Sequence, residues 1–140
     1  MKKCRPTILF ICTGNAGRSQ MAEAMFRNRY GDKYNVISAG VEPWTSLHPM
    51  AMKLMEEDGI SLEGHFPKHV RPFLEEDIDV AVTIGDRAEA ETGAFRPGTL
   101  RLHWPITDPA DADGTADSEH VFRRTRLAIR ERFPEITALL

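Results

Sequence analysis

The segment Pro6 to Cys12 reads PTILFIC, an apolar run with no polar alternation. A strand with one wet face alternates, so a continuous run marks a strand covered on both faces, as in the centre of a parallel sheet. Short residues follow at once. Then comes RSQMAEAMFRNRYG, with Met21, Ala24, Met25 and Phe26 at helical spacing and Gly31 as a stop. Parallel neighbours need crossover helices, so this opening directs the chain towards an α/β fold.

The remaining sequence continues the alternation. YNVISAG predicts a second strand ending at Gly40, and HPMAMKLMEEDGI a second helix with Pro49 in its first turn and Gly59 at its end. After a polar connection, DIDVAVTIG reads as a third buried strand and DRAEAET as a short helix. TLRLHWPI reads as a fourth strand, followed by a loop rich in turn formers, TDPADADGTADS. SEHVFRRTRLAIRERF reads as a closing amphipathic helix, with Ser118 as its cap and Val121, Leu127, Ile129 and Phe133 among its apolar positions. The 140 residues suffice for a single domain, 1–140.

A net charge of −3 offers no general attraction to nucleic acid or anionic lipid. No apolar run approaches the roughly 20 residues of a membrane span, and a cytoplasmic location is expected. The two cysteines, Cys4 and Cys12, lie at opposite ends of the first strand. At roughly 3.3 Å per residue they are beyond disulfide reach. His65 and His69 stand four apart without further ligands in a zinc spacing, so no metal is expected.

Chemistry concentrates where the first strand meets the first helix, in CTGNAGRS. Cys12 ends the strand at the sheet edge where α/β proteins bind ligands, beside a helix N-terminus that favours anions. Arg18 adds a planar charged fork suited to oxyanions. Gly14 and Gly17 let backbone N–H groups turn inward, Asn15 suits a left-handed angle, and Ser19 can donate its hydroxyl to the sulfur. The G-x-G-x-x-G spacing of a dinucleotide site is missing. A buried cysteine alone would be an ordinary small hydrophobe, but the full set is an anion cradle around a thiol.

CTGNAGRS resembles the phosphate loop of the low-molecular-weight protein tyrosine phosphatase superfamily. FICTGNAGRSQMAEAMF, VISAG and HWPITDPA are most similar to its thioredoxin-coupled arsenate reductase branch. The resemblance implies a three-layer α/β fold, with a four-stranded parallel sheet and helices on both faces. It implies that Cys12 is the nucleophile and that Arg18 and the loop from Thr13 through Gly14, Asn15, Ala16 and Gly17 to Ser19 hold the oxyanion. Asp108 in TDPA is then the general acid, while Asp111 and Asp113 read as solvated loop charges and His103 and Trp104 as packing or lining residues.

The chain also departs from that pattern. Gly17, Gly85 and Thr92 stand where the reductase branch carries further cysteines, so an intramolecular cysteine relay is not expected. Ala110 follows Asp-Pro where the phosphatases carry an aromatic, and Trp44 or His48 is expected to supply a wall instead. The branch also carries a monovalent-cation site. Asn15, Glu23 and Ser38 match part of it, and Lys68 is expected to stand in for the ion. Hydrolysis needs only residues that are present, which favours a cysteine-dependent phosphatase working through a thiophosphate on Cys12. The alternatives are an arsenate reductase using Cys12 with an external small thiol such as glutathione or mycothiol, and a non-catalytic oxyanion-binding protein. No bound cofactor is expected. The expected partners are a small oxyanion or phosphomonoester, or a phosphoprotein carrying one, with the protein a monomer.

Overall fold

The computed structural model describes residues 5–140, so Cys4 lies outside the described residues. Four strands, β1 (Thr7–Cys12), β2 (Asn35–Gly40), β3 (Val80–Ile84) and β4 (Leu100–Trp104), pair in the order β2-β1-β3-β4, all parallel. The apolar opening run is the central β1, with Ile8, Leu9, Phe10 and Ile11 fully buried between two neighbours and two layers. Successive side chains take opposite faces. Ile8, Phe10 and Cys12 belong to the larger core cluster, while Leu9 and Ile11 pack with Val70, Ile78 and Ala88 on the other face.

The helices are α1 (Arg18–Tyr30), α2 (Pro49–Glu57), α3 (Asp86–Glu91), α4 (Ser118–Glu131) and α5 (Phe133–Thr137). On the larger face Phe10 is ringed by Phe26, Trp104 and Phe133, with ring centroids 5.7, 6.0 and 6.3 Å away. Each such pair adds about 0.5–1.5 kcal/mol beyond its area burial. The chain leaves β1 towards β2 on one side and reaches β3 and β4 on the other. The switch point therefore lies between the carboxyl ends of β1 and β3, where Cys12 and Gly85 stand.

Several expectations need correction. The closing helix stops at Glu131 and a separate α5 begins at Phe133. Pro134 is the reason, since it lacks an N–H and its ring crowds the preceding turn. The inner face of α4 carries Phe122, Thr125 and Ile129, whereas Leu127 is exposed. Ser118 is the first helical residue, and the cap position belongs to Asp117, without a side-chain capping bond. The connection before β3 holds a 3-10 turn at Arg71–Glu75, and the loop after β4 holds another at Pro109–Ala112. Among the described residues, no helix is long and apolar enough to cross a membrane.

Candidate active site

The loop from Cys12 to Arg18 is shaped by where its carbonyls go. Backbone N–H groups of Val41, Glu42, Trp44 and His48 donate to the carbonyls of Cys12, Thr13, Gly14 and Ala16 at 3.2, 2.9, 2.9 and 3.0 Å. Across a planar trans peptide the next N–H points the opposite way. The N–H groups of Thr13, Gly14, Asn15 and Gly17 are thus turned away from the segment that holds the carbonyls. One of them, on Asn15, reaches the Cys12 sulfur at 3.3 Å.

Asn15 takes the left-handed angle expected of it, with φ of 50°. Gly14 is glycine for a different reason, close approach: a Cβ there would stand 2.6 Å from the indole of Trp44.

Cys12 is free and only 2% exposed. Its sulfur lies 2.9 Å from Ser19 Oγ. Asn15 Nδ2 donates to Ser19 Oγ at 2.7 Å and to Ser38 Oγ at 3.0 Å, and the Ser38 hydroxyl donates to Glu23 Oε1 at 2.6 Å. Gln20 Nε2 and the Lys68 backbone N–H donate to Asn15 Oδ1 at 3.2 and 3.0 Å. Full satisfaction matters here, because an unpaired buried polar group costs about 1–3 kcal/mol. Among the described residues, no buried side-chain nitrogen or oxygen lacks a partner.

The same chain decides the cation question. Glu23 Oε2 is paired with Arg27 at 2.6 Å and lies 3.7 Å from His65 Nδ1. Burial pushes the Lys68 ammonium below its usual range, with the charge of Glu23 opposing that and Arg27 adding to it. Burial likewise pushes His65 down, against Glu23 and with Arg27 and Lys68. The carboxylate that a monovalent cation would need is already paired with the Arg27 guanidinium, so these residues do not fit such an ion. The direct ion pair with Glu23 comes from Arg27, whereas the Lys68 ammonium donates to Phe66 O at 3.4 Å. Among the described residues, no group of three or more His, Cys, Asp or Glu is placed to hold a metal ion.

Arg18, 4% exposed, is clamped towards the β4–α4 connection. It donates to Ile106 O at 2.7 Å and to Thr13 Oγ1 at 3.4 Å, and lies 3.5 Å from Asp108 Oδ2. Gly85, at φ +97°, makes room for it: a Cβ there would come within 2.2 Å of Arg18 Nη1. Asp108 accepts from the Ala110 N–H at 2.9 Å, so the same carboxylate opens the 3-10 turn and faces the arginine.

Cys12, Gly14, Ala16, Gly17, Arg18 and Asp108 line one hollow together with Trp44, His48, Ala110 and Phe122. Thr13 stands on the far side of Arg18, in a neighbouring open cleft of about 350 Å³, while Asn15 and Ser19 lie behind the sulfur. Trp44 and His48 both serve as walls. Asp113 is not a free loop charge, since His48 Nε2 sits 3.0 and 2.8 Å from its two oxygens. The two residues are 65 positions apart, and no local spacing announces that pair. His103 is turned away from the hollow, towards Thr83, Asp86 and Glu89, and Trp104 is buried in the core.

Residues 7–140 match the model of the low molecular weight phosphotyrosine protein phosphatase family. The chain belongs to that family. Its relatives include the arsenate reductases of Bacillus licheniformis, 38% identical over 129 residues, and Bacillus subtilis, 36% identical over 129 residues; each match covers 91% of this chain and 92% of the relative. An arsenate reductase structure from Archaeoglobus fulgidus superposes with a TM-score of 0.76 at 28% identity, over 94% of this chain and 98% of that one. The low molecular weight protein tyrosine phosphatase of T. tengcongensis gives 0.73 at 18% identity, over 93% and 99%, a likeness of fold.

Proposed function

We propose that this chain reduces arsenate at Cys12, with a small external thiol supplying the electrons. The observation that carries this reading is the lining of the hollow over the sulfur, where Ala110 stands after Asp108 and Pro109 in place of an aromatic that would flank an ester's ring. Trp44, His48 and Phe122 complete the walls of that hollow. A bare tetrahedral oxyanion needs no flanking ring there, whereas an aryl ester would use one. The arsenate reductases at 36% and 38% identity support the same choice over the phosphatase expected from the residues alone.

The chemistry needs one protein cysteine. The Cys12 thiolate attacks arsenic, forming a sulfur–arsenic bond as an arsenic–oxygen bond breaks. Asp108, as general acid, passes a proton to the departing oxygen, which leaves as water. Arg18 and the inward N–H groups hold the remaining oxygens. An external thiolate then attacks the Cys12 sulfur. A disulfide forms as the sulfur–arsenic bond breaks, its electron pair stays on arsenic, and As(V) becomes As(III). A second thiol releases Cys12 and leaves as the oxidised disulfide. Two thiols thus supply the two electrons, and with only Cys4 and Cys12 in the sequence no cysteine pair after β3 is available to do so.

A phosphomonoesterase is the second reading, favoured by Cys12, Arg18 and Asp108 lining one hollow, the complete set for hydrolysis. Arsenite formation from arsenate and glutathione or another small thiol, lost in Cys12→Ser, is the expected result. Turnover of p-nitrophenyl phosphate without arsenite formation would install the phosphatase instead. Oxyanion binding with neither turnover would leave a binding protein.

A further inference from the structure

Two connections face each other across the hollow, 41–48 after β2 and 105–117 after β4. The first is fixed to the anion loop by the four backbone hydrogen bonds from Val41, Glu42, Trp44 and His48. The second carries Asp108 and Ala110 and is held to the loop through Arg18. His48 joins the two. Its backbone N–H donates to Ala16 O, and its Nδ1 accepts from the Met50 N–H at 3.0 Å at the start of α2. With Nδ1 occupied as an acceptor, the ring proton sits on Nε2 and points at the Asp113 carboxylate. The ring is held on both sides, 4.4 Å from Phe122 and 5.7 Å from Trp44 between centroids.

We propose that His48 and Asp113 form a latch across the mouth of the site, and that this latch sets which oxyanions enter. Closed, it holds Trp44, Ala110 and Phe122 close enough to admit a bare tetrahedral anion and to exclude an organic ester. Asp113 does not itself line the hollow, and its backbone N–H donates to Ala110 O at 3.0 Å, so it acts by positioning the wall that carries Ala110 and not by binding oxygen. The inference rests on the oxyanion reading of Cys12, yet it concerns binding, which can be read without turnover.

The test measures the affinities of inorganic phosphate and of phenyl phosphate in a Cys12→Ala background, alone and combined with Asp113→Ala or Asp113→Asn. With the latch intact, phenyl phosphate is expected to bind about tenfold or more weakly than phosphate, and Asp113→Ala to narrow that ratio to about threefold or less. Phosphate affinity should stay within about twofold in the same variant. Asp113→Asn keeps an acceptor for Nε2–H and should keep the original ratio, a rescue that a merely structural role of the charge would not give. Equal affinity for both probes with the latch intact would overturn the proposal. So would parallel weakening of both in Asp113→Ala, or a ratio that does not move. A protein showing latch-dependent discrimination but no arsenate reduction would sink the reductase reading alone.

Discussion

Behind the Cys12 sulfur, Ser19, Asn15, Ser38 and Glu23 form a buried chain drawn from the anion loop, α1 and β2. In front of it, Trp44, His48, Asp108 and Asp113 come from the connections between elements. The back is set by sheet register, because Phe10 pairs with Ser38 and Cys12 with Gly40. The front is set by a few side-chain bonds across long sequence separations. A back of this kind fixes the nucleophile whatever is bound, and a front of this kind is where specificity changes at little cost to the fold.

The contrast breaks most severely at Asn15, which serves both the left-handed turn and the hydrogen bonds to Ser19 and Ser38. Asn15→Ala should cost about 2–4 kcal/mol in urea unfolding and abolish turnover, because several buried partners lose their bonds at once. A loss below about 1 kcal/mol would mean that the back is not the rigid half. On the front, Asp108→Asn should leave stability within about 0.5 kcal/mol and lower the rate about 100-fold, read as kcat at saturating arsenate. Gly85→Ala sits between the halves, since its Cβ would strike Arg18. Phosphate affinity should fall about tenfold, with a stability loss of about 1 kcal/mol or more from the positive φ.

Smaller effects sharpen the picture of the back. Thermal melts in potassium and in sodium chloride at equal ionic strength should coincide, because Arg27 already pairs with Glu23. A potassium-specific rise in Tm would contradict that. His65 should give the mildest signal. Burial holds its folded pKa below the ordinary 6.5, so the unfolded chain takes the proton more readily. Stability attributable to this group is therefore complete above about pH 6.5 and is lost as pH falls through the folded value. His65→Gln should flatten the fall in Tm between about pH 7.5 and 5.5; an unchanged slope would remove His65 from the linkage.

Legibility in the sequence follows the same division. The order of strands and helices could be read because PTILFIC and its successors carry their burial pattern locally. Cys12 and Arg18 stand out locally because a strand end and a helix start meet in one short motif, whereas Asp108 is singled out only by the resemblance, since Asp-Pro by itself opens many turns. Asp113 could not be read, since its partner His48 is distant in sequence and its own surroundings, DADG, look like any solvated loop. Leu127, an apolar position in the pattern, is exposed, while Thr125 takes a place on the inner face for a related reason. Thr125 enters the inner face with its hydroxyl bonded to Val121 O, a satisfaction that hydropathy does not register.

The most direct measurement is the mass of the Cys12 peptide after arsenate and a small thiol have been mixed with the protein and quenched with acid. An adduct equal to one thiol joined by a disulfide, dependent on arsenate and absent in Cys12→Ser, is the expected result. A Cys12 peptide that stays unmodified while arsenite accumulates, or one that carries phosphate from p-nitrophenyl phosphate but never the thiol, would contradict the single-cysteine reduction.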